Sequence, residues 1–107
     1  MVKRNEIDII SIFASMQIYR SMSVPGILIL FKDRIQFQAK GVLEGKEMKD
    51  TFYLNNIKGI KRTYLPLLSR LVITENDGEV WEFHQVNRAD AKQFISLYGD
   101  VKSFSEN

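Results

Sequence analysis

The chain has 107 residues, of which 45% are hydrophobic and 26% charged, and its formal net charge is +2. This length fits one domain, and this composition is that of a folded globular protein, which excludes a largely disordered chain. The absence of cysteine excludes a disulfide framework, a thiolate metal site and a cysteine nucleophile.

Residues 9–19 allow two interpretations, because their apolar residues suit both one face of a helix and an alternating strand. We predict a short helical start followed by a strand over residues 16–22. No uncharged run in the sequence approaches the roughly 18 residues that a membrane-spanning helix needs. We expect a cytoplasmic protein, with association to a membrane surface as the alternative.

A β-hairpin is predicted next along the chain. The Pro-Gly pair at residues 25–26 indicates a turn before it. Its strands are residues 26–31 and 34–39, and the polar pair Lys32-Asp33 joins them. The second strand alternates strictly between polar and apolar residues, which is the pattern of a half-buried strand.

Four more strands are predicted before the C-terminal part, at residues 51–54, 57–64, 70–74 and 80–84. A polar loop at residues 40–49 precedes them, and the two asparagines at residues 55–56 turn the chain. Gly59 marks a candidate bulge in the second of these strands. The last two form a hairpin, because Asp77-Gly78 supplies the positive φ that tight hairpin turns need.

An amphipathic helix follows, with Asn87 as its N-cap and Asp90 in its first turn. Its apolar residues recur at spacings of three and four and form one stripe: Ala91, Phe94, Ile95 and Tyr98. Gly99 is well placed to end the helix. We predict that the tail at residues 103–107 frays.

Six or seven short strands followed by one amphipathic helix predict a mainly β (α+β) fold. The narrow apolar stripe of the helix must pack against other apolar residues. We expect it to cover the open end of a small two-sheet structure. We predict one domain over residues 1–107 with its core at about residues 12–99. Five aromatic residues on the apolar sides of these elements are predicted core residues: Phe37, Phe52, Trp81, Phe83 and Phe94.

Three segments follow the strand and turn pattern of a known fold: residues 26–37 (GILILFKDRIQF), 52–60 (FYLNNIKGI) and 71–83 (LVITENDGEVWEF). In this order they resemble the pleckstrin-homology (PH) superfold, and within it the GRAM-like and bacterial PH-like branch. The resemblance implies a seven-stranded, two-sheet, partly open barrel capped by a C-terminal α-helix. It also implies a scaffold that binds lipid headgroups, peptides or other domains and is seldom catalytic.

The segment from residue 58 to residue 70 places apolar residues beside bases. We take it as the candidate binding surface, with Lys58, Lys61, Arg62, Leu65, Leu67, Leu68 and Arg70. In a peripheral membrane protein such leucines enter the lipid interface and the cations meet anionic headgroups. In a protein contact they form an exposed apolar patch. A third interpretation stays open, in which the leucines fold back into the core.

Other candidate sites are weaker. Phosphoinositide-binding PH domains carry a basic signature in their first hairpin, for which Arg20, Lys32 and Arg34 could serve. Asp33 opposes an anion there, and a solvated turn is the better interpretation. His84 is the only histidine, so we predict no transition-metal site and no catalytic triad.

The charges are unevenly distributed: residues 32–62 hold eight bases and four acids, whereas residues 75–107 hold three bases and seven acids. Such asymmetry is typical of one basic face or of ordinary solvated surface. At a net charge of +2, nucleic acid is not an expected partner. The sequence thus predicts a non-catalytic binding module without cofactor or metal. It contacts a protein partner or a second copy of itself, and the alternative is an anionic lipid surface.

Overall fold

The computed structural model describes residues 7–19, 22–40, 50–64 and 67–105. Within them seven strands precede one helix: β1 (Ile10–Tyr19), β2 (Met22–Leu30), β3 (Arg34–Ala39), β4 (Thr51–Tyr53), β5 (Ile57–Tyr64), β6 (Ser69–Glu75), β7 (Val80–Val86) and α1 (Arg88–Ser105). A short 3₁₀ helix, Leu54–Asn56, lies between β4 and β5. Arg20, Leu65, Pro66 and most of the predicted loop at residues 40–49 lie outside the described residues.

The strands form one antiparallel sheet in the order β4-β3-β2-β1-β7-β6-β5. β1 pairs with β2 along its length, but with β7 only at Ser15 and Met16. It thereby joins two halves of the sheet, β1 to β4 and β5 to β7. The end strands β4 and β5 do not pair with each other, so the sheet is open. The predicted mainly β architecture with a C-terminal helix is confirmed.

Aromatic contacts reveal that the two halves of the sheet curl over each other. Phe37 on β3 and Phe83 on β7 are separated by β2 and β1, which in a flat sheet would place them about 14 Å apart. Their ring centroids lie 5.7 Å apart, and those of Phe52 and Phe83 lie 5.9 Å apart. All three rings belong to one core, which the helix stripe completes with Ala91, Phe94 and Tyr98.

The predicted helical start within residues 9–19 is wrong. From Ile10 onward the segment is β1, which pairs with β2 from its first residue to its last. Three alternate residues of this strand face the core: Ile12, Ala14 and Met16. Phe13 lies between them on the outer face and is 47% exposed. An apolar residue on the outer face produces the helix-like spacing in the sequence.

The predicted turn at residues 25–26 is also wrong, because both residues lie within β2. Gly26 stands opposite Ala14 of β1 and Ala39 of β3. These three small residues lie side by side across the sheet, and the ring of Phe37 comes close to Gly26. Close packing, rather than a turn, explains the glycine.

Other predicted turns are confirmed. Lys32 and Asp33 lie between β2 and β3. In the β6–β7 turn Gly78 has a φ of +95°, a backbone conformation that favours glycine. The register of β5 against β6 shifts between Ile57 and Gly59, where the sequence predicts a bulge.

Helix α1 begins where the sequence predicts. Oδ1 of Asn87 accepts hydrogen bonds from the backbone N–H groups of Ala89 and Asp90, at 2.9 and 3.2 Å, and so caps the helix. Within the part of the chain that the structure describes, no helix combines the length and apolar composition that crossing a membrane requires.

The far end of α1 differs from the prediction, because the helix passes through Gly99 and continues to Ser105. Two contacts hold these additional turns. Val101 packs against the core, and Nζ of Lys102 donates a hydrogen bond to the carbonyl oxygen of Ile57 on β5. Tertiary contacts therefore outweigh the weak helix propensity of glycine at this position.

We expect Gly99→Ala to raise the free energy of unfolding by about 0.5–1 kcal/mol, because glycine in a helix interior loses more backbone entropy than alanine. Gly99 is exposed, and a Cβ at this position meets nothing within 4 Å. Urea denaturation of the two proteins would measure the difference. A less stable alanine variant would contradict a helix that continues through residue 99.

Candidate binding surface

The described leucines of the candidate surface lie outside the core. Leu67 is 85% exposed and Leu68 is 38% exposed, immediately before β6. The chain enters the core at the next residue, Ser69, which is fully buried. Core packing therefore does not account for Leu67 or Leu68. Leu65 lies outside the described residues, so its placement stays a prediction.

These two leucines lie near the start of α1. Ser69 pairs with Val86 at the end of β7, and α1 begins two residues after Val86. Residues 67–68 are thus anchored on one side by a buried strand that belongs to the sheet. A side chain held in this way loses little further backbone freedom when it is buried by a partner.

The predicted bases do not surround the leucines. Lys58 lies at the bulge near the start of β5, six residues before the end of that strand at Tyr64. At the rise of an extended strand, this separation is about 20 Å. Lys61 lies about 10 Å from the same end by the same measure. The basic segment of the sequence is therefore spread along the strand.

The bases are also divided between the two faces of the sheet. Arg62 pairs with Leu71, which is fully buried, so Arg62 lies on the face that carries the helix. Its Nη1 donates to the carbonyl oxygen of Arg88 in the first turn of α1, at 3.5 Å. Lys61 pairs with Val72 on the opposite, outer face. Lys61 and Arg62 are thus adjacent in the sequence but lie on opposite faces of the sheet.

Arg70, the base next to the leucines, takes part in a small cluster on the outer face. Its Nε lies 3.9 Å from Oε1 of Glu82, and Nε2 of His84 lies 2.9 Å from the same oxygen. All three side chains are between a quarter and two fifths exposed, and ion pairs at such positions stabilise a fold by about 0–1 kcal/mol. The cluster therefore places Arg70 beside a carboxylate but adds little to the stability of the sheet.

Sequence analysis missed Glu82 and His84 as neighbours of Arg70. The hairpin turn at Gly78 determines the register of β6 against β7 and places Val72 opposite Glu82. Residues two apart on a strand share a face, so the alternation of β7 contains the signal that could have placed both side chains on the outer face.

One base of the alternative basic signature is paired within the signature itself. Arg34 donates from Nη1 to Oδ1 of Asp33 at 2.9 Å, and its guanidinium lies 4.3 Å from the ring centroid of Phe31. Arg20 lies outside the described residues. Among the side chains that the structure does describe, no group of three His, Cys, Asp or Glu residues could hold a metal ion.

No protein-family model matches the chain, and no curated protein sequence matches it. Solved structures do resemble it. One is the C-terminal domain of an unknown protein from Leishmania infantum, with a TM-score of 0.71 and 11% identity over 90% of this chain and 84% of that chain.

A second similar structure is that of the N-terminally truncated linker-DH/PH domains of p115-RhoGEF, with a TM-score of 0.71 and 8% identity. The match covers 92% of this chain and 30% of that one. At such identities the likeness shows the fold alone. The chain therefore has a PH-like fold.

Proposed function

We propose that this chain is a non-catalytic protein-interaction module whose contact is centred on Leu67 and Leu68. The observation that supports this is the 85% exposure of Leu67, two residues before the buried Ser69. Burying a leucine side chain contributes about 1.5–3 kcal/mol. An exposed leucine that closely precedes a paired strand is therefore a suitable anchor for a partner's apolar pocket.

The placement of the bases favours a protein over a membrane. A peripheral membrane contact needs cations gathered around the inserted apolar residues, but Lys58 lies about 20 Å along β5 and Arg62 lies on the helix-bearing face. Arg70 and Lys61 share the outer face with each other. We infer a partner with an apolar pocket for Leu67 and a carboxylate that meets Lys61 on the outer face.

We also propose that the chain belongs to the GRAM-like or bacterial PH-like branch and acts in the cytoplasm. The three sequence segments at residues 26–37, 52–60 and 71–83 support this assignment, because in the fold they contribute to strands β2 to β7 in the expected order. The open sheet and the C-terminal helix agree with it.

The proposal is tested by placing a photo-crosslinking amino acid at position 67 in cells, with position 92 as the control. Lys92 is exposed on α1, so it reports non-specific capture. We expect a discrete crosslinked protein at position 67 alone. The purified partner should then bind the wild type, and Leu67→Ser should weaken binding about tenfold or more, while Lys92→Ser leaves it unchanged.

Vesicle co-sedimentation distinguishes the alternative. We expect vesicles of phosphatidylserine and phosphatidylcholine to leave the chain in the supernatant. The wild type could instead sediment with the vesicles, and Leu67→Ser and Lys61→Glu could each abolish this sedimentation. That result would overturn the protein contact in favour of a lipid surface. Equal binding of the identified partner by the wild type and by Leu67→Ser would overturn the choice of residues.

A further inference from the structure

A second apolar surface lies at the opposite end of α1. A groove of about 630 Å³, which we call the Phe104 groove, is lined by Ile9, Lys32, Asp33, Asp100, Val101 and Phe104. Residues far apart in sequence meet there: the segment before β1, the β2–β3 turn and the last turns of the helix. The groove exists because α1 continues past Gly99.

Apolar exposure at the Phe104 groove is large. Phe104 is 83% exposed, and Ile9 is 38% exposed. An adjoining cavity of about 500 Å³ shares Ile9 with the groove and adds Ile7, which is 80% exposed. Monomeric soluble proteins rarely leave a large continuous apolar surface uncovered. We therefore expect a binding partner to cover this surface.

We propose that the occupant is a second copy of this chain, bound about a two-fold axis. The surface holds both a projecting side chain, Phe104, and an apolar groove beside it. About a two-fold axis the same patch of both copies forms the contact, so a pairing between two different residues across the interface occurs twice. The projecting Phe104 of each copy then enters the groove of its partner, and both are buried by one contact.

The charges on the rim are self-complementary. Lys32 and Asp100 carry opposite signs on the rim of the groove, and both are exposed. Asp33 is already paired with Arg34. A two-fold arrangement places Lys32 of one copy against Asp100 of the other, twice. The alternative occupant is a lipid-like molecule with one charged group, which would match a groove rim of a single sign. The rim carries both signs, and this favours a second copy of the chain.

This contact is separate from the proposed function. The leucines at residues 67–68 lie near the start of α1, and Phe104 lies 16 residues after the first helical residue, Arg88. That separation is about 24 Å along the helix axis. A dimer closed at the Phe104 groove leaves Leu67 free for another partner, and variants at one surface serve as controls for the other.

Sedimentation-equilibrium ultracentrifugation from about 10 µM to about 1 mM tests the proposal. We expect the wild type to follow a monomer–dimer equilibrium. Phe104→Ser should raise the dimer dissociation constant about tenfold or more, whereas Leu67→Ser should leave it unchanged. Because Phe104 is mostly exposed, thermal unfolding of the variant should match that of the wild type at a concentration at which the wild type is also monomeric.

A charge exchange gives a second measurement that does not depend on the apolar contact. Lys32→Glu and Asp100→Lys should each weaken the dimer, and the double variant should restore it. A wild type that is monomeric throughout this range overturns the proposal. So does a dimer that withstands Phe104→Ser, a dimer lost in Leu67→Ser instead, or a monomer that binds dodecanoate in the groove.

Discussion

Replacing Phe83 by alanine is expected to lower the free energy of unfolding by about 4 kcal/mol, which is a large part of the stability of a domain of this size. Phe83 is fully buried, and its ring contacts those of Phe37 and Phe52 from the other half of the sheet. Alanine would lose these contacts and leave a cavity between the two halves. Urea denaturation followed by tryptophan fluorescence would measure the loss.

Phe13→Ala is the matched control, because it removes the same side chain from the outer face of β1, where it is 47% exposed. We expect a loss below about 1 kcal/mol for this variant. Similar losses for the two variants would contradict a sheet that curls around Phe83.

Local chemistry in the sequence predicts much of this fold. The strict alternation from Arg34 to Ala39 is the alternation of β3, and Asp77-Gly78 forms the hairpin between β6 and β7. Asn87 caps the helix as its chemistry requires. Each of these features depends on neighbours within a few residues, so the sequence alone contains the information.

Long-range contacts explain the errors. Gly99 does not end α1, because Val101 packs on the core and Lys102 binds a carbonyl oxygen of β5, 45 residues away in the sequence. Residues 25–26 do not turn, because β2 is held between β1 and β3. Neither cause is visible in the few residues around each site.

The sequence identifies the segment that forms the candidate surface, but not how its side chains are arranged in space. Adjacent residues of a strand face opposite sides, so Lys61 and Arg62 could have been separated from the strand assignment alone. The exposure of Leu67 could not have been derived, since it depends on where Ser69 enters the core. The Phe104 groove combines Ile9, Lys32 and Phe104, and no local pattern connects positions so far apart.

Gly26→Ala is the second substitution with a large expected effect, a loss of about 3 kcal/mol of the free energy of unfolding. A Cβ at residue 26 would lie 2.3 Å from the backbone oxygen of Gln38 and 2.7 Å from Cζ of Phe37. The first atom belongs to the neighbouring strand β3. The second belongs to a buried ring that contacts Phe83. Neither can move without separating β3 from β2 or disturbing the aromatic core.

Gly59→Ala tests whether this loss arises from close packing rather than from the general cost of changing a strand glycine. Gly59 also lies in a strand, but a Cβ there meets nothing within 4 Å. We expect Gly59→Ala to change the free energy of unfolding, measured by urea denaturation, by no more than about 0.5 kcal/mol. If Gly26→Ala were as mild, β3 could not approach β2 as closely as the structure has it. If Gly59→Ala were as severe, backbone freedom rather than contact with Phe37 would explain both glycines.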